Sequence, residues 1–235
     1  MIKLLQPWVL VTAVVSSVIA VVAVPPSQVR ATFAGGSGTA VDPWLISDCT
    51  QLQAIRNPST NLSKHFKLTS NVDCSTVSPF TPLSNSTTYF TGSLDGAGYE
   101  VQNLTITCAS TCGLFPTFKA SNAVTIKNIA FRNSSVTGTG SQIGTIVGTL
   151  NAPLTLSNVE LINPTVSGTS NIGGVIGSFT SSSVTSSQLV ATDITLTNPT
   201  ISATTQNVGG LVGIAGNSPA ATLVARMVRN SKPQC

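Results

Sequence analysis

Apolar and polar residues alternate along much of the chain, and this two-residue period predicts β-strands with one buried face. In the segment 124–138 the apolar positions are Val124 and Ile126, and then Ile129 after a change of parity at Asn128. The change of parity predicts a bend there, because asparagine tolerates the left-handed backbone that bends require. The segment therefore predicts a strand, a bend, a second strand and a turn.

The same pattern recurs along the chain. Segments that superpose without a gap are VTIKNIAFRNSSVTG (124–138), LTLSNVELINPTVSG (154–168) and LVATDITLTNPTISA (189–203), and VQNLTI (101–106) is an earlier partial copy. A glycine phrase closes each unit: TCGLFP (111–116), QIGTIVG (142–148), NIGGVIG (171–177) and NVGGLVG (207–213). A unit of about thirty residues cannot bury its apolar face alone, whereas stacked units that pair in parallel can. The repeat therefore predicts an all-β protein built as a β-solenoid.

Stacking would place equivalent residues of successive units above one another, which predicts two buried, structural columns of polar side chains. The first column would contain Asn103, Asn128, Asn158 and Asp193, and the second would contain Asn133, Asn163 and Asn198. Stacked asparagine side chains can hydrogen-bond one another and backbone groups that would otherwise be unpaired.

The segment before the repeats predicts a cap, because an open solenoid end exposes unpaired strand edges. Its pattern predicts a strand over 43–47, a short helix over 48–56 and a further strand from His65. Asp48 is the predicted N-cap of the helix, and Gln51 follows three residues later.

Several of these motifs occur in a fixed order over residues 35–213: GSGTAVDPWLISDCTQLQAIR, HFKLTSNVDCS, FTGSLDGAGYEVQNLTI and GLF, then GGVIG and GGLVG. The ordered set resembles the β-helix region of bacterial surface proteins with GLUG repeats, including N-terminal regions of zinc metallopeptidases that cleave immunoglobulin A. The resemblance implies a right-handed parallel β-helix, of the pectin lyase-like kind, and an adhesin-type surface role. It does not imply peptidase activity, because no H-E-x-x-H motif is present. The added cysteines and Pro116, in place of the phrase's final glycine, depart from the family pattern.

These features predict four segments. Residues 1–24 are a signal peptide or a membrane anchor, 35–110 the cap and first coils, 111–213 the GLUG-like repeats, and 214–235 a degenerate last repeat or a truncated end. The signal peptide follows from Lys3, the apolar run that starts at Trp8 and the small residues before VPP. That run nearly reaches membrane-spanning length, so an uncleaved anchor stays open.

Charged residues make up only 8% of the chain, and the formal net charge is +4. This charge is too small and too scattered to predict a nucleic-acid partner. The remaining polarity comes from serine, threonine, asparagine and glycine, as in many secreted β proteins. We therefore expect a secreted or cell-surface location.

Cysteines lie at Cys49, Cys74, Cys108, Cys112 and Cys235, and a secreted chain allows disulfides. The first four permit three connectivities, among which sequence alone does not choose. We favour Cys49–Cys74 and Cys108–Cys112, with Cys235 left over. A zinc site is disfavoured by the spacing and because His65 is far from any cysteine pair.

Four N-x-Ser/Thr sequons begin at Asn61, Asn85, Asn103 and Asn133. We expect Asn103 and Asn133 to be buried in the columns, where a glycan would conflict with the fold. Asn61 and Asn85 are therefore the glycosylation candidates.

Catalytic chemistry is poorly represented in the sequence. Glycosidases need two carboxylates at a defined separation, and the seven acidic residues predict no outward pair on adjacent units. No Ser/His/Asp set and no glycine loop followed by lysine is present. We therefore expect no catalytic residue, metal or cofactor, and a binding or adhesion module. One alternative is a polysaccharide lyase or glycoside hydrolase on a β-helix. The other is an ice-binding threonine array, although the TIT (105–107) and TLT (195–197) motifs do not fall on consecutive units.

The expected partner is an extracellular protein or carbohydrate surface, and a membrane only if the N-terminal segment is uncleaved. The expected contact region is the Ser/Thr-rich loop 178–188, because insertions at one corner of a solenoid project from one side.

Overall fold

The computed structural model describes residues 33–85, 87–119, 123–180 and 188–216, and the backbone of 222–228. The predictions for residues 1–24, for Cys235 and for most of the loop 178–188 lie outside the described residues. Within them, the structure is nearly all β, with one α-helix, α1 (Cys49–Ala54), and one 3-10 helix (Ser59–Ser63).

Eighteen strands occur in the described residues. In chain order they are β1 (Trp44–Ile46), β2 (His65–Leu68), β3 (Val72–Asp73), β4 (Ser93–Asp95), β5 (Glu100–Gln102), β6 (Thr105–Cys108), β7 (Phe115–Phe118), β8 (Val124–Arg132), β9 (Ser135–Gly138), β10 (Ile143–Gly144), β11 (Val147–Leu150), β12 (Leu154–Ile162), β13 (Thr165–Gly173), β14 (Ile176–Phe179), β15 (Gln188–Thr197), β16 (Thr200–Gly209), β17 (Val212–Ala215) and β18 (Thr222–Val228).

The strands form three parallel sheets, which confirms the all-β, parallel class predicted from the repeats. The first sheet runs β1-β2-β4-β8-β12-β15-β18, with β3 and β5 paired beside this path. The second runs β10-β13-β9-β6, with β16 also paired to β13, and the third runs β17-β14-β11-β7. Successive units visit the sheets in one order, since β12, β13 and β14 are followed by β15, β16 and β17.

The strand register reproduces the alignment of the repeats. Leu154 pairs with Val124 on one side and with Leu189 on the other, and all three side chains are buried. In β8 and β12 the residues between the buried positions are more exposed, so these strands bury one face. Burying a side chain of this size stabilises the fold by roughly 1.5–3 kcal/mol.

The helix α1 begins where the sequence predicts and is shorter than predicted. Asp48 is its N-cap, and its Oδ1 accepts a hydrogen bond from the backbone N–H of Gln51 at 2.8 Å. Gln51 Oε1 in turn accepts from the backbone N–H of Ser47 at 2.8 Å. The first bond satisfies an N–H group that the first turn of a helix leaves free, and the second fixes the residue that precedes the N-cap.

The glycine phrases are explained by close approach of backbone to backbone. Gly173 pairs with Gly144 in β10 and with Gly209 in β16. A Cβ on Gly173 would lie 1.8 Å from the carbonyl oxygen of Ile176, and one on Gly209 would lie 1.9 Å from that of Val212. No other residue fits these positions without moving the chain.

Candidate functional site: corner ladders and a hydroxyl array

A ladder of side-chain hydrogen bonds, here the first corner ladder, joins equivalent residues of successive units. Asn128 Nδ2 donates to Asp95 Oδ1 at 3.2 Å, and Asn158 Nδ2 donates to Asn128 Oδ1 at 3.2 Å. The register places Asp193 next to Asn158. The ladder therefore starts at a carboxylate, which accepts and does not donate.

A second corner ladder has the same direction. It contains Asp73, Asn103, Asn133, Asn163 and Asn198. Nδ2-to-Oδ1 bonds join Asn103 to Asp73 at 2.9 Å, Asn163 to Asn133 at 3.1 Å and Asn198 to Asn163 at 3.3 Å. The hydrogen bond from Asn103, followed by the backbone N–H of Ser75, lowers the pKa of Asp73.

The placement of Asn103 corrects the sequence-based assignment to the column of Asn128. The register pairs Val101 with Phe131 and Gln102 with Arg132, so Asn103 lies beside Asn133. Each unit contains two sequences of the form apolar-x-Asn or apolar-x-Asp, one before each of its two bends. The pattern VQN fits both, and only strand pairing distinguishes them.

The expectation that the columns are buried is also wrong. Asn133, Asn158, Asn163, Asp193 and Asn198 are exposed, and Asn103 and Asn128 are half-buried. All seven have positive φ, between 49° and 56°. At such a corner the backbone turns away from the core and the side chain points outward, while its apolar neighbours remain buried.

A third corner ladder was not predicted. It contains Gln142, Asn171 and Asn207, each with positive φ, and Asn207 Nδ2 donates to Asn171 Oδ1 at 2.7 Å. Thr111 Oγ1 donates to Gln142 Oε1 at 3.2 Å. The sequence feature that indicates this ladder is the first residue of each glycine phrase, whose side chain is a carboxamide in three of the four phrases.

Beside the second corner ladder, a set of outward hydroxyl side chains, here the hydroxyl array, covers four strands of the second sheet. Two ranks are formed by the pairing of β6, β9, β13 and β16: Thr105, Ser135, Thr165 and Thr200, and then Thr107, Thr137, Ser167 and Ser202. Neighbouring strands lie about 4.8 Å apart, so the hydroxyls repeat at that interval across the sheet.

The hydroxyl array is uncharged and available to a partner. Ile106, Val136 and Val166 lie between the two ranks along the chain and are buried on the opposite face. Among the described residues, none of the eight hydroxyls makes a side-chain hydrogen bond, although each has one donor and two acceptor positions. The array follows the pattern N-x-[ST]-[IV]-[ST], which the threonine motifs TIT and TLT do not reveal because serine occupies three of its eight hydroxyl positions.

Charged side chains gather on the outer face of the first sheet. Arg132 donates to both carboxylate oxygens of Glu100, at 2.7 and 2.8 Å, and Gln102 Nε2 donates to the same group at 2.9 Å. The bonds from Arg132 lower the pKa of Glu100 to about 2. Lys127 Nζ lies 3.4 Å from Asp95 Oδ2.

The pKa of Glu100 does not suit the general acid of a glycosidase. Glu100 and Glu160 both neighbour Ala130, on opposite sides, so two strand spacings, roughly 9.6 Å, separate their backbones. A general acid needs a raised pKa, and Arg132 lowers that of Glu100.

His65 makes one contact that the sequence did not predict. Its Nδ1 lies 2.8 Å from Ser93 Oγ, because β2 and β4 pair at these residues. A serine hydrolase also needs a group that orients the imidazole and donors for an oxyanion. Within the described ranges, His65 has no second side-chain hydrogen bond of that kind.

In the part of the chain that the structure describes, no three His, Cys, Asp or Glu side chains come together as a metal site would require. No helix there is long and apolar enough to cross a bilayer.

The disulfides are Cys49–Cys74 and Cys108–Cys112, which is the pairing favoured from the sequence.

The two glycosylation candidates, Asn61 and Asn85, differ in exposure and in the bonding of the side-chain nitrogen. Asn61 is only 5% exposed, and its Nδ2 donates to the carbonyl oxygen of Ala54 at 3.1 Å, so the nitrogen that a glycan requires is already bonded. This burial and this bond argue against Asn61 as a glycosylation site. Asn85 is exposed, and its Oδ1 accepts bonds from Thr87 and Thr88 without involving the nitrogen.

Three comparisons place the chain among known proteins. No family model matches it. It is 39% identical over 155 residues to Halomucin from Haloquadratum walsbyi, a match that covers 60% of this chain and 2% of that protein. Among solved structures it resembles a protein from Bacteroides ovatus that was proposed to be an immunoglobulin A1 protease, with a TM-score of 0.56 and 20% identity over 83% of this chain and 67% of that one. The structural likeness concerns the fold alone. The chain spans only a small fraction of the Halomucin sequence.

Proposed function

We propose that the chain is a non-catalytic binding or adhesion module that acts in the extracellular space or on the cell surface. The hydroxyl array carries this proposal. Paired strands hold its donors and acceptors in fixed positions, which lowers the ordering cost of binding. Uncharged hydroxyls suit a neutral carbohydrate or a polar protein surface, whereas phosphate and nucleic acid require cationic side chains.

The proposed architecture is a right-handed parallel β-helix with GLUG-like repeats over residues 111–213. Its support is the order of the strands, since each unit contributes to the three sheets in turn. The likeness to the Bacteroides ovatus protein is consistent with this architecture.

The proposed location rests on the disulfides and on the N-terminal sequence. Disulfides persist in oxidising compartments and are rare in the cytosol. Residues 1–24 have the basic start, apolar run and small residues of a signal peptide. Amino-terminal sequencing of the exported protein should start after this segment; full-length protein found only in the cytosol would contradict export.

The binding test uses two matched pairs of substitutions. Thr137→Val with Thr165→Val removes hydroxyls from the array and keeps the side-chain shape. Thr125→Val with Thr155→Val makes the same change on the outer face of the first sheet. On an array of neutral polysaccharides and extracellular proteins, we expect the first variant to lose at least tenfold in affinity and the control to retain it. Equal losses in both variants, or binding by neither wild type nor variants, would contradict the proposal.

The binding proposal and the enzyme alternative predict opposite results with polysaccharides. Under the binding proposal, incubation with pectins, alginates and neutral polysaccharides releases no new chain ends. Release that Glu160→Gln or Asp95→Asn abolishes would establish catalysis and would overturn the proposal.

A second candidate function is ice binding, favoured by the regular hydroxyls on four consecutive strands. Ser135, Ser167 and Ser202 lack the methyl groups that threonine would place beside each hydroxyl. A gap between the melting and freezing temperatures of ice in the protein solution, removed by Thr137→Val, would support this candidate. The absence of such a gap would eliminate it.

A further inference from the structure

We propose that Asn133 is an N-glycosylation site. The inference rests on the proposed export of the chain, because N-glycans are attached in secretory compartments or on the cell surface. Asn133 begins the sequon Asn133-Ser134-Ser135 at a corner between β8 and β9. The surface position of the second corner ladder removes the objection that a glycan there would be buried.

The hydrogen bonds of the ladder leave the required atom of Asn133 free. Its Oδ1 accepts from Asn163 Nδ2 at 3.1 Å, whereas its own Nδ2 donates no bond to any described residue. In Asn103 the corresponding nitrogen is bonded to Asp73 Oδ1, and in Asn61 it is bonded to the backbone of Ala54. Of these three sequons, only the one at Asn133 combines an exposed side chain with an unbonded amide nitrogen.

The chemistry of attachment preserves the ladder. A saccharide moves from a lipid-pyrophosphate carrier to Nδ2: the new bond joins C1 to nitrogen, the bond from C1 to pyrophosphate breaks, and the amide nitrogen loses one proton. The carbonyl oxygen remains an acceptor after this transfer. The bond from Asn163 can therefore persist in the glycosylated protein.

The repeat itself contains the natural control for this site. The positions equivalent to Ser134 in the next two units are Pro164 and Pro199, and proline in the middle of a sequon blocks glycosylation. Ser134 is 1% exposed, its hydroxyl has no partner, and no backbone bond from its N–H is present among the described residues. Ser134→Pro should therefore remove the sequon and keep the fold.

The test is expression through a heterologous leader in a host with active N-glycosylation, followed by peptide mass spectrometry of the folded, secreted protein. We expect glycan on Asn133 in the wild type and in Ser135→Thr, none in Ser134→Pro, and none on Asn61. Asn85 is exposed and serves as the internal control, together with an added terminal sequon. An unmodified Asn133 beside an occupied control would overturn the proposal. So would a glycan on Asn133 found only in aggregated protein. Because the leader is supplied, failure here is independent of whether the native segment directs export.

Discussion

Asn158 donates a hydrogen bond from its Nδ2 to Oδ1 of Asn128, which lies on the neighbouring strand and thirty residues earlier. The same residue has a φ of 51°, a conformation that costs most side chains roughly 1–2 kcal/mol. The asparagine therefore contributes in two separable ways, through its side-chain bond and through its tolerance of the corner.

Substitution of Asn158 can separate these contributions. Asn158→Ala loses the bond and replaces asparagine with a residue that tolerates the left-handed region less well, and we expect a loss of about 1–2 kcal/mol in the free energy of unfolding. Asn158→Gly loses the same bond without the backbone strain, so it should be the more stable of the two. Urea denaturation of both variants would measure this; equal losses would show that the corner conformation contributes nothing.

The glycine phrases provide a second prediction with a control in the same phrase. Gly209→Ala would place a Cβ 1.9 Å from the carbonyl oxygen of Val212, and we expect a loss of more than about 3 kcal/mol. Gly210→Ala meets no atom within 4 Å, and we expect a change within about 0.5 kcal/mol. Thermal melts of the two variants should differ clearly, and similar melts would show that close approach is not the reason for glycine at 209.

The Glu100–Arg132 pair predicts a pH dependence. The pKa of Glu100 falls from 4.5 to about 2 in the folded protein, because Arg132 hydrogen-bonds the carboxylate. A lowered folded pKa stabilises the protein above pH 4.5, and the stabilisation is lost as the pH falls from about 4.5 towards 2. The urea midpoint of the wild type should therefore exceed that of Glu100→Gln at pH 6, with the gap closing by pH 2. A gap that does not change with pH would exclude this ion pair as its cause.

The two disulfides should differ in their effect on stability. Cys49–Cys74 closes a loop with a sequence separation of 25, and Cys108–Cys112 one of 4. Loop-closure entropy predicts roughly 3–4 kcal/mol for the first and about 2 kcal/mol for the second. Paired Cys→Ala variants under denaturation should show the larger loss for Cys49–Cys74, and the reverse order would contradict the entropic account.

The repeat and the strand class could be predicted from the sequence because alternation and gapless superposition are local patterns. The assignment of Asn103 to a ladder could not, because two bends in each unit share one local pattern and only pairing across thirty residues distinguishes them. Exposure of the ladders was missed for a related reason. Stacked polar residues suggest burial, but a positive φ at a corner turns the side chain away from the core.

The hydroxyl array cannot be recognised from threonine pairs alone. Serine at Ser135, Ser167 and Ser202 breaks that pattern without changing the outward hydroxyl. The array becomes visible when strands from four units are placed side by side, since its members are separated by thirty residues or more along the chain.

The hydrogen bonds of the corner ladders also give the stack of units a direction, with two chemically different ends. Among the described residues, every side-chain bond within the first two ladders runs from an N–H to an oxygen of the preceding unit, so the small dipoles of these bonded amides add, as peptide dipoles do along a helix. Asp73 and Asp95 stand at the positive end of each row and act there as a helix N-cap does. Units with asparagine at the corner could be duplicated or deleted without breaking the row, because asparagine presents an N–H to one neighbour and an oxygen to the other. An aspartate side chain accepts a bond but has no N–H to donate, so the aligned amides of the first row begin at Asp95 and end at Asn158, before Asp193.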